Sequence, residues 1–111
     1  MRVLFVDDEP NVLDSIRRQL RKSCEVLTAT SGADALALLK DTGPVALVIS
    51  DMRMPGMSGA ELLAKIRDLY PDTVRMILSG QADLDSTIAA INDGHIFRFL
   101  TKPSHEEALR R

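Results

Sequence analysis

Five polar residues with chemical potential stand at or just beyond the ends of short apolar runs. Asp7 and Asp8 follow "RVLFV" (2–6), Asp51 follows "VALVIS" (45–50), Ser79 closes "VRMILS" (74–79), and Lys102 comes two residues after "IFRFL" (96–100). Three carboxylates gathered at one place repel one another and lose hydration, so they call for a cation or another counter-charge. An all-oxygen ligand set suits Mg²⁺, which keeps several waters and takes only one or two carboxylates; Mn²⁺ accepts the same donors. Ser79 adds a hydroxyl donor and Lys102 a positive charge. Such a set suits a metal-bound phosphoryl group next to a carboxylate nucleophile.

That chemistry requires a scaffold that brings distant positions to one edge, and the hydropathy pattern supplies it. "RVLFV" is a nearly continuous apolar run, as expected of a strand covered on both faces. After it, Pro10 opens a helix whose stripe is Val12, Leu13, Ile16 and Leu20. "EVLTAT" (25–30) reads as a second strand, and Ser31 or Gly32 opens a helix through Leu36 and Leu39 that stops near Gly43-Pro44. "VALVIS" is the third strand, and Ser58 caps a helix carrying Leu62, Leu63, Ile66 and Leu69 that ends before Pro71. "VRMILS" is the fourth strand, followed by a helix over "DLDSTIAAIND" that has acidic residues in its first turn and Gly94 at its end. "IFRFL" is the fifth strand, of edge character, and "SHEEALRR" starts a fifth helix that stops short at Arg111.

Strands alternating with helices imply an α/β fold, a doubly wound (βα)5 arrangement around a five-stranded parallel sheet. Ligands of such sheets bind outside the carboxyl ends of the strands, where strand order reverses. With the flavodoxin-like order 2-1-3-4-5, strands one and three are neighbours, and Asp7, Asp8 and Asp51 converge.

Composition narrows the setting. At 111 residues the chain fits one domain, and a net charge of −2 offers no general attraction for nucleic acid or anionic membrane. The single cysteine, Cys24, cannot form an internal disulfide and has no activating partner, so it reads as an inert structural thiol. With no signal peptide or long apolar run in view, the expected compartment is the cytoplasm.

The pieces "VLFVDDEPNV", "LVISDMRMPGMSG", "ILSG" and "RFLTKP", in this order and spacing, resemble the receiver domain of two-component response regulators across nearly the whole chain. The resemblance implies that residues 1–111 are a receiver domain with its last helix truncated, excised from a longer protein with a C-terminal effector. It implies a phosphoacceptor switch rather than an enzyme: Asp51 takes a phosphoryl group from a histidine kinase or histidine phosphotransfer protein. Mg²⁺ would be held by Asp8, Asp51 and the backbone carbonyl of Arg53, with Asp7 helping through water. Ser79 would bond the acyl phosphate, Lys102 would pair with its oxygens, and Phe99 would be the aromatic switch residue. The Lys102-Pro103 bond looks like the family's cis peptide. A homodimer through helix four, strand five and helix five is a further family expectation. "AINDGHIFRFLTKP" looks most like receivers attached to cyclic-di-GMP phosphodiesterases of the HD-GYP type or to ATP-dependent transcriptional activators.

Plainer readings stand beside these. Asp7 and Asp8 can cap the first helix, Asp51 and Ser79 can serve in turns, Lys102 can be a solvated terminal charge, and Phe99 can be a core aromatic. Met52, Met54 and Met57 read as adaptable packing around the loop. Arg17, Arg18, Arg21 and Lys22 complement the dipole at the end of the first helix as a solvated face, and His95 and His105 lack metal-ligand spacing. A flavin or nucleotide binder would need a Gly- or Ser/Thr-rich first loop, whereas this one is the acidic "DDEPN". A hydrolase with an aspartyl-phosphate intermediate would carry a DxD motif, yet Asp51 is followed by Met52-Arg53. A pseudo-receiver signalling by contact alone is the remaining alternative. Arg53 and Gln81, each two residues beyond a key position, stand near the path by which water would attack an acyl phosphate.

Overall fold

The computed structural model describes residues 1–93, and within them strands and helices alternate. They are β1 (Arg2–Val6), α1 (Pro10–Leu20), β2 (Glu25–Ala29), α2 (Gly32–Thr42), β3 (Leu47–Asp51), α3 (Gly59–Leu69), β4 (Val74–Leu78) and α4 (Gln81–Asn92). The strands form a parallel sheet of order β2-β1-β3-β4, so β1 and β3 are neighbours as the flavodoxin-like order requires. The expected fifth strand and helix, with Gly94, His95, Phe99, Lys102, the Lys102-Pro103 bond and His105, lie outside the described residues.

Alternation along each strand divides the interior in two. Val3, Phe5, Leu47 and Ile49 point to one face and meet Leu13, Ile16 and Leu20 of α1 and Ile88 and Ile91 of α4. Leu4, Val6 and Val48 point to the other and meet Ala35 and Leu39 of α2 and Leu62 and Ile66 of α3. The sequence predicts helices on both faces; the structure adds that α4 shares a face with α1. Ser23 Oγ and Asn92 Oδ1, 2.6 Å apart, tie the two helix ends together. Cys24 is buried in the same core, and burial pushes its thiol pKa up, which keeps it in the unreactive protonated form.

The helix starts follow local chemistry. Ser31 accepts a hydrogen bond from the Asp34 N–H at the start of α2. Ser58 and Glu61 form a reciprocal capping box at the start of α3, Ser58 Oγ accepting from the Glu61 N–H at 3.2 Å and Glu61 Oε1 from the Ser58 N–H at 2.9 Å. These bonds hold the Glu61 carboxyl below its ordinary pKa. Ser58→Ala should therefore lower stability by about 1 kcal/mol, read as a shift of the urea midpoint. At α1, Pro10 occupies the first turn, but Glu9 precedes it and makes no side-chain cap.

Three expectations need adjustment. The third strand begins at Leu47 rather than Val45 and includes Asp51, because Val45 and Ala46 serve as its entry, where the Val45 carbonyl accepts from Thr73 Oγ1 at 2.8 Å. The fourth helix begins at Gln81, two residues before the acidic run, with Gly80 as its N-cap. Leu69 is 62% exposed, since Leu62 and Ile66 already fill the α3 contact with the sheet.

Candidate functional site

Strand pairing fixes Asp51 before any side-chain interaction does. It is the last residue of β3 and lies in register with Leu78, while the next N–H, of Met52, donates to the Leu78 carbonyl at 3.1 Å. The buried Ser50 hydroxyl donates to the Asp51 carbonyl at 2.9 Å. One residue past β1, the Asp7 N–H donates to the Ala29 carbonyl at 3.1 Å, which extends the β1 pairing to the edge of the sheet. Carboxyl oxygens of Asp7, Asp8 and Asp51 consequently lie within 4.8 Å of one another. This is the convergence that the order 2-1-3-4 predicts.

The loop after Asp51 folds back on the sheet. Met54 is buried and Met57 packs against the same α2–α3 core, whereas Met52 is exposed. The packing role expected of these methionines therefore holds for two of three. The Gly59 N–H donates to the Met52 carbonyl at 2.9 Å, and a Cβ on Gly59 would stand 2.2 Å from the Asp51 carbonyl oxygen. The start of α3 thus presses directly on the backbone that presents Asp51.

Asp7 and Asp51 are half-buried and Asp8 is exposed. Partial burial is the leading cause of a raised Asp7 pKa, with the charges of Asp51, Asp8 and Glu9 adding to it; the Glu9 N–H, donating to Asp7 Oδ1 at 2.9 Å, works in the opposite direction. This bond makes a local turn at Asp7, so neither Asp7 nor Asp8 provides the N-cap of α1. A carboxyl whose native pKa is raised holds its proton longer when folded than when unfolded. Its unfavourable contribution is absent below the ordinary value of 3.8, grows as pH rises through the raised value, and is complete above it. Asp7→Asn, which keeps an oxygen for the Glu9 N–H, should raise stability near neutral pH and change little in strong acid, read as the shift of the urea midpoint at the two pH values. Added Mg²⁺ should raise the melting temperature of the wild-type chain more than that of the variant.

The carboxylates open onto a cleft of about 190 Å³ lined by Asp7, Glu9 and Asp51, the apolar Val12, Leu78 and Leu84, and Gly80 and Gln81. Ser79 sits between two of the lining residues, exposed, with its backbone N–H bonded to the Asp83 carboxylate at 3.0 Å. Gln81 reaches the cleft as its sequence position suggests. Arg53 lines a separate recess with Met52, Met54, Pro55 and Ser58, so the two positions proposed near the water path are not equivalent. Glu9 in the cleft and the acceptors Asp83 and Asp85 on α4 escape sequence reasoning, because single acidic residues at helix starts are commonplace. At the end of α1 and just past it, Arg17, Arg18, Arg21 and Lys22 are exposed as expected, and Arg17 also bonds Thr28 Oγ1 of β2 and pairs with Asp14 at 3.9 Å.

A parallel α/β sheet of order β2-β1-β3-β4 with three clustered carboxylates at its carboxyl edge defines the class: a flavodoxin-like doubly wound fold with an acidic site where β1 and β3 end. Residues 3–111 match the response regulator receiver domain, and the chain belongs to that family. HoxA, a hydrogenase transcriptional regulatory protein of Cupriavidus necator, is 41% identical over 101 residues, which cover 91% of this chain and 21% of HoxA. The chain thus spans about a fifth of that regulator's length. A receiver domain protein from Clostridium thermocellum superposes with TM-score 0.67 at 36% identity, over 84% of this chain and 75% of the other. Response regulator TrrA of Thermotoga maritima, solved in complex with Mg(2+)-BeF, gives TM-score 0.64 at 26% identity, over 81% of this chain and 97% of TrrA.

Proposed function

We propose that this receiver domain is a phosphoacceptor switch in which Asp51 takes a phosphoryl group from a histidine kinase or histidine phosphotransfer protein. The observation that carries the reading is the approach of Asp7, Asp8 and Asp51 to within 4.8 Å at the carboxyl edge of β1 and β3. Burial is the main cause of the raised Asp7 pKa, and the neighbouring charges of Asp51, Asp8 and Glu9 add to it, a repulsion that a divalent cation would offset. Asp8, Asp51 and the Arg53 carbonyl would hold Mg²⁺ or Mn²⁺, with Asp7 acting through water. When bound, the cation offsets charge on the phosphoryl oxygens. TrrA, a family member, was solved with Mg(2+)-BeF, which supports the extension to this chain.

In the transfer, an Asp51 carboxylate oxygen forms a bond to phosphorus as the phosphorus–nitrogen bond of the donor histidine breaks. The electron pair returns to the imidazole, which takes a proton from solvent. β3 positions the nucleophile, and most of the rate comes from that alignment and from charge stabilisation. Lys102 pairs with the phosphoryl oxygens and Ser79 donates its hydroxyl to them. The movement of Ser79 leaves space for Phe99, which changes the surface around α4 and the segment after it. The same chemistry is self-limited transfer, so the domain acts as a switch and not as a turnover enzyme. Its setting is cytoplasmic, and it controls an output domain in a longer protein; HoxA, a transcriptional regulatory protein, supports an effector of that kind, and the similar receiver of an HD domain-containing protein from Pseudomonas fluorescens supports the phosphodiesterase alternative.

Incubation with acetyl phosphate and Mg²⁺, followed by intact mass and hydroxylamine treatment, tests the reading. One phosphoryl group, gained only with the cation and removed by hydroxylamine, is expected. No gain, together with no cation-dependent binding of beryllofluoride, would instead leave a pseudo-receiver that signals by contact. Sustained turnover of a small phosphate ester in a colour assay would point to the hydrolase.

A further inference from the structure

The connections up to β4 share one hand. α2 and α3, which lead towards β3 and β4, pack on the sheet face of Leu4, Val6 and Val48, and α1, which leads the opposite way to β2, packs on the face of Val3, Phe5 and Ile49. Crossovers between parallel strands are right-handed almost without exception, and these connections agree with that rule. The same rule assigns the helix after β4 to the α2–α3 face if the next strand, expected over residues 96–100, continues the sheet beyond β4. α4 lies on the other face, where Leu84, Ile88 and Ile91 meet the α1 core. Arg75 and Ile77, the β4 residues in register with Val48 and Ser50 and so turned to the α2–α3 face, are only half-buried there.

Docked on α1, α4 also walls the site. Val12 of α1 and Leu84 of α4 both line the cleft that holds Asp7 and Asp51. The seam behind them is loose, since a groove of about 210 Å³, with Val12, Ser15, Leu84 and Ile88 in its lining, runs between the two helices. At the far end, Ser23 Oγ and Asn92 Oδ1 close the contact at 2.6 Å. We infer that α4 is a gate: docked on α1 it is an autoinhibitory contact that narrows the acidic cleft, and it crosses to the α2–α3 face of β4 when the site opens to a phosphoryl donor. This rests on the proposal that Asp51 is the phosphoacceptor. Leu84, Ile88 and Ile91 form one apolar stripe, which can cover Ile77 as it now covers α1. The seam and the Ser23–Asn92 bond hold the closed position.

Ser23→Cys combined with Asn92→Cys, in a chain whose own thiol is removed by Cys24→Ala, tests the gate, because side chains in contact are within reach of a disulfide. Oxidation with diamide should join the two cysteines, read as loss of both free thiols. Acceptance from acetyl phosphate with Mg²⁺ should then be lost in the joined form and return on reduction. Asn92→Ala removes the tether without adding a link, so it stands whether or not the triple variant folds. It should raise the initial rate of acceptance roughly threefold or more, the population shift expected for one neutral hydrogen bond. A contact with no gating role predicts a joined form that accepts at the rate of the reduced form, and a silent Asn92→Ala. Either result would overturn the inference, and so would failure of the cysteines to join in the folded variant, since α4 would then not dwell on α1. Failure of the acceptor reading is separately visible: the wild-type chain and the reduced variant would themselves gain no phosphoryl group, and both proposals would fall.

Discussion

Asp51→Ala should gain no hydroxylamine-labile phosphoryl group while remaining as stable as the wild-type chain. The two halves of that expectation have different physical sources. Acceptance disappears because the nucleophile is the only atom set that forms the covalent bond, and neighbouring groups that stabilise charge cannot replace it. Asp7 and Asp8 should not substitute, since they follow β1 and the proposed nucleophile is the residue that β3 presents. Stability is retained because Asp51 is only half-buried and shares its surroundings with two other carboxylates. Removing one negative charge relieves repulsion, so the urea midpoint should hold or rise. Intact mass after acetyl phosphate treatment reads the first half and urea unfolding the second. A variant that accepted phosphate at the wild-type rate would contradict the assignment.

The second large effect is expected at Gly59, a residue that carries no chemistry. A methyl group there would lie 2.2 Å from the Asp51 carbonyl oxygen and 3.1 Å from both the Asp51 carbonyl carbon and Met52 Cα, all of them backbone atoms. Backbone cannot rotate out of the way as a side chain can. The start of α3 or the end of β3 must move, and the capping box at Ser58 and the Met52–Leu78 bond resist on either side. Gly59→Ala should cost about 1–3 kcal/mol, as overpacked sites do. Because a displacement of about 1 Å at a reacting group can lower a rate by about 10²-fold, phosphoryl acceptance should fall far more than stability. The ratio of the two losses, measured by urea unfolding and by the initial rate with acetyl phosphate, is the signature; a variant with lost stability and normal acceptance would show that α3 does not position Asp51.

Much of this arrangement is legible in the sequence because period and punctuation agree. Continuous apolar runs mark β1 and β3 as doubly covered, Ser31 and Ser58 mark helix starts, and Asp7, Asp8 and Asp51 fall where the runs stop. Topology then does what composition cannot, placing positions more than forty residues apart in one cluster. What the sequence conceals depends on three-dimensional contact. Nothing in the pattern of α4 says that Ile88 and Ile91 join the α1 side, because a helical stripe shows which residues are buried and not against what. Leu69 fits the α3 stripe by spacing, yet lies beyond the contact that Leu62 and Ile66 complete. Glycine at position 59 reads as one more small loop residue until the Asp51 carbonyl is seen beside it. The turn at Asp7, the Asp83 bond to the Ser79 backbone and the Asp85 bond to Gln81 are likewise local geometries of ordinary acidic residues.

The central claim is that a Mg²⁺-dependent acyl phosphate forms on Asp51, and reductive trapping tests it most directly. Borohydride converts an aspartyl phosphate to homoserine at the residue that carried it, which peptide mass spectrometry locates. After acetyl phosphate and Mg²⁺, homoserine is expected at position 51 and nowhere else, and it should vanish when the cation is chelated beforehand. Homoserine at position 7 or 8, or acid-stable phosphate on Ser79 with position 51 unmodified, would contradict the account.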